Sequence, residues 1–273
     1  MLTVLKADHS REPFSEQKVV SSIKRAHIPK NLQDDALMHV KSKIYEGIST
    51  KEIYEHILEF LIDSPEPYAK TRYSLKEAIM NLGPSGYPFE DFIAKLLQTD
   101  GYHTKVRQIL MGECITHEID IIAERAGRSA AIEAKFHNSP GTRSQVQVAL
   151  YTQARFEDIK EKNHIDETWI VTNTKTTQDV NIYAQCKNIK VMSWSYPEGK
   201  SLRDMIERAR LHPITALTSI NTAQKRILLN NHIILCKELC EDNSLIDMLY
   251  LSKNQKETVV DEVSYVCQRD SSL

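Results

Sequence analysis

The sequence predicts a multi-domain α/β protein, with a mostly helical domain at 1–83, an α/β core around a central mixed sheet at 84–199, and a helical extension at 200–273. Three observations carry that prediction. Two short strand-like segments followed by helical periodicities open the chain. Its middle runs helix, strand, hairpin, helix, strand. Beyond Leu211 only helical spacing recurs. A chain of 273 residues suits two or three domains, and 41% hydrophobic with 26% charged residues is enough apolar material to bury a core.

Residues 2–6 and 11–14 read as strands around a turn, and Ser15 can cap a helix running to Ala26 by accepting a first-turn N–H. Helical spacing continues at 31–45, 49–62 and 68–82. Gly83-Pro84-Ser85-Gly86 is a short link expected to couple the first two domains closely. A helix at 86–97 is stopped by Asp100-Gly101-Tyr102 ahead of a strand at 102–110. Two short buried strands joined by Ala126-Gly127-Arg128 follow, then a helix at 144–160 and the apolar strand Thr168-Trp169-Ile170-Val171-Thr172. Past Leu211, helices are expected at 223–229, 233–240 and 244–267, as a helix-hairpin module that binds a DNA backbone or packs as a lid or dimerisation element.

The chemistry concentrates in the central hairpin. His117-Glu118-Ile119-Asp120-Ile121-Ile122-Ala123 and Ala131-Ile132-Glu133-Ala134-Lys135-Phe136 bring an Asp, a Glu and a Lys onto adjacent strands, with Glu133 and Lys135 on one face. Two carboxylates at a strand pair can hold a hard divalent cation, and an ammonium beside them can orient a metal-bound water, the chemistry of metal-assisted phosphodiester hydrolysis. Acids are depleted in strands, although an edge strand with solvated charges would also carry them. Glu90 stands in the first turn of its helix, either as a member of the acidic cluster or as a complement to the helix dipole. Gln147 and Tyr151 share a helix face, either lining the site or solvated. Glu118 is read as turned away from Asp120, and His117 as lining the groove or its rim. Ile121 stands where the second His of H-E-x-x-H would be, which excludes a zincin site.

Residues 84 to about 197 resemble the Mrr-like branch of the PD-(D/E)xK nucleases, sharing the paired Asp and E-x-K, the upstream helix Glu and a Gln-x-x-x-Tyr element. The resemblance implies Asp120 and Glu133 as Mg²⁺ ligands, Lys135 positioning the attacking water, Glu90 completing the acidic cluster, and Gln147 and Tyr151 as polar supports. Residues 1–83 resemble the ATP-cone, a nucleotide-sensing module, at Val4, Lys6, Asp8, Glu12, Phe14, Lys18, Val19, Ile23 and Ala26. It implies that Lys6 and Lys18 face the phosphates of ATP or dATP, with Glu12 near the base or sugar. Ala7 and His9 depart from the family, which has a second basic residue and a Gly at that hairpin, removing a cation and altering the turn. No G-x-x-x-x-G-K-[ST] occurs, so the nucleotide is expected as an effector rather than a fuel.

Together these readings point to a nucleotide-regulated Mg²⁺-dependent DNA endonuclease, the alternative being a DNA-binding or nucleotide-sensing regulator that keeps the nuclease fold with little turnover. Net charge is −2, but the basic residues of 200–226, Lys200, Arg203, Arg208, Arg210, Lys225 and Arg226, face only Asp204 and Glu207, a local positive excess suited to DNA. The five cysteines suggest no disulfide framework or zinc site; Cys236 and Cys240 read as small buried apolar residues, and a reduced cytoplasm is expected. No apolar run of membrane-spanning length or leader-like segment is present, and a homo-oligomer is expected because one such site holds one scissile phosphate.

Overall fold

The computed structural model describes residues 2–26, 28–66 and 68–267. It divides into two compact units, one formed by Met1–Ile79 with His212–Leu273, the other by Met80–Leu211.

In the first unit, β1 (Thr3–Leu5) pairs antiparallel with β2 (Arg11–Pro13). The turn between them keeps its shape without a glycine, because His9 itself adopts the left-handed conformation at φ 63° and the Asp8 carboxylate accepts from the Ser10 N–H and hydroxyl. Ser15 caps α1 (Glu16–Arg25), its hydroxyl accepting from the Lys18 N–H. After α2 (Lys30–Lys43) comes a strand too short to leave a periodicity in the sequence, β3 (Ile48–Ser49), parallel to β1. A capping box of Ser49 and Glu52 starts α3 (Thr50–Ile62), and Val4, Ile23, Ala36, Ile48, Ile57 and Leu61 form the core. The expected single helix over 68–82 is two, α4 (Ala69–Tyr73) and α5 (Leu75–Met80). The break falls at Ser74, whose hydroxyl donates to the Thr71 carbonyl in competition with helical bonding.

The second unit begins with the stretch expected as a linker. A Cβ at Gly83 would strike the Asn138 side chain and the Phe136 ring, and the Asn138 amide donates to the Pro84 carbonyl at 3.3 Å, so 83–86 is packed structure of this unit. Then come α6 (Tyr87–Thr99), β4 (His103–Met111), β5 (Thr116–Arg125), β6 (Arg128–Lys135), β7 (Arg143–Ser144), α7 (Val146–Asn163), β8 (Glu167–Thr172), β9 (Lys175–Thr176), α8 (Gln178–Lys187), β10 (Lys190–Met192) and α9 (Leu202–Ala209). The sheet order is β10-β8-β6-β5-β4, antiparallel from β4 to β6 and parallel from β6 to β10, the mixed sheet the sequence predicts. Ala126 and Gly127, both at positive φ, turn β5 into β6 as a twisted hairpin requires. The sequence reading did not anticipate α8, β10 or the β7–β9 pair, and α9, expected in the extension, lies inside this unit.

The chain then returns to the first unit as α10 (Thr222–Asn230), α11 (Cys236–Glu241) and α12 (Lys253–Cys267). Where a helix was expected from Ile233, residues Ile233 to Leu235 are outside any helix and Leu235 bridges to Pro213. In α12, Glu262 is fully enclosed and accepts from the Thr71 hydroxyl at 2.5 Å, and from the N–H and hydroxyl of both Thr218 and Ser219. Arg72 donates to the Tyr265 carbonyl and lies over the Tyr265 ring, so this module and α4 are joined. One cysteine reading is corrected. Cys240 forms a disulfide with Cys267, tying α11 to the end of α12, whereas Cys236 is buried and free as expected.

Candidate active site

Four elements converge on the acidic hairpin. Asp120 comes from β5, Glu133 and Lys135 from β6, Glu90 from the first turn of α6, and Arg155 from α7. The Asp120 carboxylate accepts the Ala134 N–H at 2.7 Å, which holds it against β6 between the flanks of Glu133 and Lys135. Burial pushes the carboxyls of Asp120 and Glu133 above their ordinary range, and for Glu133 the charge of Asp120 adds to the shift. Arg155 and then Lys135 draw both back down, and the exposed Lys135 ammonium makes no hydrogen bond or close ion pair among the described residues. Glu90 is pushed up to about 7, first by burial and then by the charge of Asp120, against the pull of Arg107 at 3.2 Å.

The ladder is interrupted at this point. Register pairs run Val106 with Ile121 and Gln108 with Ile119, passing over Arg107 and Asp120, and Arg107 takes φ 52°. Ile119 and Ile122, three apart, share one apolar cluster with Ile159 of α7, so strict alternation fails around Asp120. Such breaks re-aim side chains. Here the guanidinium of Arg107 reaches Glu90 and, at 2.9 Å, Asp91.

Sequence reasoning missed Arg155 and Arg107. Arg155 donates to Glu133 at 2.6 Å and sits 5.0 Å from the Tyr151 ring centre. Its signal was available, for it continues the i, i+4 series of Gln147 and Tyr151 by one more turn. Tyr151 is exposed and reaches the cluster through Arg155, while Gln147 is exposed on the first turn of α7 with no bond to the acidic residues. Glu118, expected to turn away, is near enough for its charge to help push Asp120 up. His117 does not line the site. It bonds Asp158 at 2.8 Å, and Asp158 also accepts from the N–H groups of Cys114 and Ile115, pinning the β4–β5 hairpin to α7. Among the described residues no three or more His, Cys, Asp or Glu side chains form a metal-holding group, and Arg155 and Arg107 each take one oxygen of Glu133 and Glu90.

In the first unit a cavity of about 250 Å³ is lined by Glu12, Phe14, Lys18, Ser22, Tyr54 and Tyr73. Glu12 bridges Lys6 at 2.6 Å and Lys18 at 2.9 Å, and these two ammoniums hold its carboxyl below the usual range. Tyr54 and Tyr73 stack on each other in its wall at 5.2 Å, burial pushes the Tyr73 hydroxyl up to about 12, and that hydroxyl lies 3.2 Å from Ser22.

Residues 2–78 match the ATP cone domain, 83–205 a restriction endonuclease domain, and 212–267 the AF1548-like C-terminal domain. An uncharacterized protein of Archaeoglobus fulgidus is 43% identical over 125 residues, 46% of this chain and 71% of that protein. The crystal structure of AF1548, a protein of unknown function, is 33% identical with a TM-score of 0.59, covering 67% of this chain and 98% of that one. The chain belongs to the AF1548-like family. It carries an ATP-cone and a restriction endonuclease domain in one polypeptide. Can2 from Sulfobacillus thermosulfidooxidans in complex with cyclic tetra-adenylate aligns at 11% identity and a TM-score of 0.30, over 71% of this chain and 54% of its own, too low for a common fold to follow. Among the described residues no helix of this AF1548-like chain is long and apolar enough to cross a membrane.

Proposed function

We propose that this chain is a Mg²⁺-dependent DNA endonuclease whose hydrolytic centre is Asp120, Glu133 and Lys135, regulated by an adenine nucleotide in the ATP-cone. The observation that carries the reading is the half-buried pair Asp120 and Glu133, repelling and raised in pKa, beside the Lys135 ammonium, which makes no hydrogen bond or ion pair among the described residues. Hard oxygen donors of this kind suit Mg²⁺, which when bound would supply an activated water and neutralise charge on the phosphate. Asp120 and Glu133 would hold it, Glu90 would extend the acidic set, and Lys135 would orient the phosphate and the attacking water. Arg155 would release Glu133 as the cation enters. The ATP-cone cavity has a cation for phosphates in Lys18, and Lys6 joins it through the shared partner Glu12, which would hold both until a nucleotide competes.

A second reading rests on the Arg155–Glu133 pair itself. If the guanidinium keeps the place of a metal, the domain binds DNA without cutting it. A plasmid-nicking assay with Mg²⁺, with EDTA, and with ATP or dATP separates the two. Cleavage that requires Mg²⁺ and is lost in Asp120→Asn supports the nuclease, whereas retarded but intact plasmid in every condition supports the binding protein.

A further inference from the structure

We propose that the nuclease unit holds a second binding site, for a nucleotide moiety, in the cavity at the β10 edge of its sheet. The cavity encloses about 730 Å³, within the ~300–1,000 Å³ of small-molecule sites. It is separate from the acidic cluster. Trp169 in its wall pairs with Ile132, one residue before Glu133, and successive strand residues face opposite sides of a sheet.

Four cations line it, and their partners divide them. Arg125 is paired with Asp100, and Lys190 with Glu167. Among the described residues Arg208 donates only to the Gly199 carbonyl, at 3.0 Å, and Lys200 has no side-chain partner. Two positive charges therefore stand at the cavity without a carboxylate to neutralise them, which calls for an anion such as a phosphate. A bare phosphate would leave most of the space empty. The remaining wall suits a flat ring: Tyr196 presents an exposed aromatic face, Met192 and Met205 offer adaptable apolar surface, and the exposed Gln185 amide, also without a partner among the described residues, can meet the polar edge of a base. Phosphate plus ring is a nucleotide, supplied free or within a single strand. Half of the basic residues of 200–210 are thereby given a use, since Lys200 and Arg208 belong to this cavity.

The test uses the full chain carrying Lys6→Ala and Lys18→Ala to silence the ATP-cone, in EDTA to prevent cleavage. AMP, ATP and an eight-nucleotide single-stranded DNA are titrated by calorimetry and by quenching of tryptophan fluorescence, to which Trp169 contributes. Lys200→Glu with Arg208→Glu should weaken binding at least tenfold, Tyr196→Ala should weaken it and reduce the quenching, and Lys200→Arg should bind as the parent does. Because the altered side chains are exposed, circular dichroism should show parental folding. A loss for AMP and ATP identifies a site for free nucleotide; a loss for the oligonucleotide alone identifies a strand site. If no probe binds the parent, or all bind parent and charge-reversed chain alike, the proposal falls.

Discussion

Glu262 in α12 and Glu133 in β6 are both carboxylates drawn out of water, yet the groups that meet them differ. Glu262 is surrounded by hydroxyls and backbone N–H groups of Thr71, Thr218 and Ser219, donors from separate stretches of the first unit, and all of them are neutral. Glu133 is hydrogen-bonded by one cation, Arg155, feels a second, Lys135, and is pushed by the repulsion of Asp120. A charge satisfied by many neutral donors fixes the segments that supply them, because removing it orphans every donor at once. A charge left beside a like charge remains short of positive partners, and it can take up a cation without dismantling the fold. The first arrangement builds a joint, and the second is what the proposed metal site calls for.

The comparison breaks most decisively on catalysis. Asp120→Asn or Glu133→Gln should reduce Mg²⁺-dependent plasmid cleavage by on the order of a thousandfold, while Asp120→Asn leaves the metal-free melting temperature unchanged or raised, since a repelling charge is removed. Lys135→Ala should still bind Mg²⁺ but lose turnover. Wild-type cleavage by Asp120→Asn would show that the hydrolytic centre lies elsewhere. Glu262→Ala should behave oppositely, destabilising the first unit by about 3–5 kcal/mol, read as a loss of melting temperature, without touching the nuclease chemistry directly. An unchanged melting temperature would remove Glu262 from its place as a joint.

Nucleotide binding gives a smaller effect. Each ammonium bound to phosphate contributes roughly 1.5–3 kcal/mol, so Lys6→Ala with Lys18→Ala should weaken ATP or dATP binding to the ATP-cone by about a hundredfold in calorimetry. The pair with Glu12 reduces the gain, because the nucleotide must replace a partner these lysines already have. Equal heats for the variant and the parent would reduce the ATP-cone to a fold without this ligand.

What could be seen in the sequence follows the strength of local patterns. Long periodic elements such as α6, β5, β6 and α7 declare themselves, as do Ser15 as a cap and Ala126-Gly127 as a hairpin turn, because the physics is confined to a few neighbouring residues. The residues Asp120, Glu133 and Lys135 stood out because charge is costly in an apolar strand. Elements defined by distant partners did not. β3 exists only because β1 lies beside it, Cys267 is bonded to a cysteine 27 residues away, and Arg107 reaches Glu90 only because the ladder breaks at its position. Arg155 lies between these cases, on a face already recognised but one turn beyond where the pattern was followed.

The smallest effect is the one that shows how short of positive charge the acidic cluster is. Glu90, Asp120 and Glu133 all hold their protons more tightly in the folded state than ordinary carboxylates do, and Glu90 titrates at about 7 against 4.5. Between those values folded Glu90 binds more protons than unfolded Glu90, so its contribution to stability is present below pH 4.5 and is lost as pH rises through 7, and Asp120 and Glu133, raised as well, act with the same sign. Carboxylates held low, such as Glu12 and Asp158, act with the opposite sign and in a more acidic window, so they are already ionised here. His137, its pKa lowered first by burial, adds stability as pH rises and so opposes the cluster within the same window. The diagnostic is therefore a difference between variants. Metal-free wild type should lose more stability between pH 5 and 8 than Asp120→Asn, in which burial still raises Glu90 and Glu133 but the repulsion from Asp120 is relieved. Mg²⁺ should restore that loss in wild type at pH 8 and do little at pH 5, where protons already neutralise the site. Parallel melting curves for the two proteins across this range, with or without Mg²⁺, would mean that the three carboxylates do not share one electrostatic field, and the metal reading would lose its physical basis.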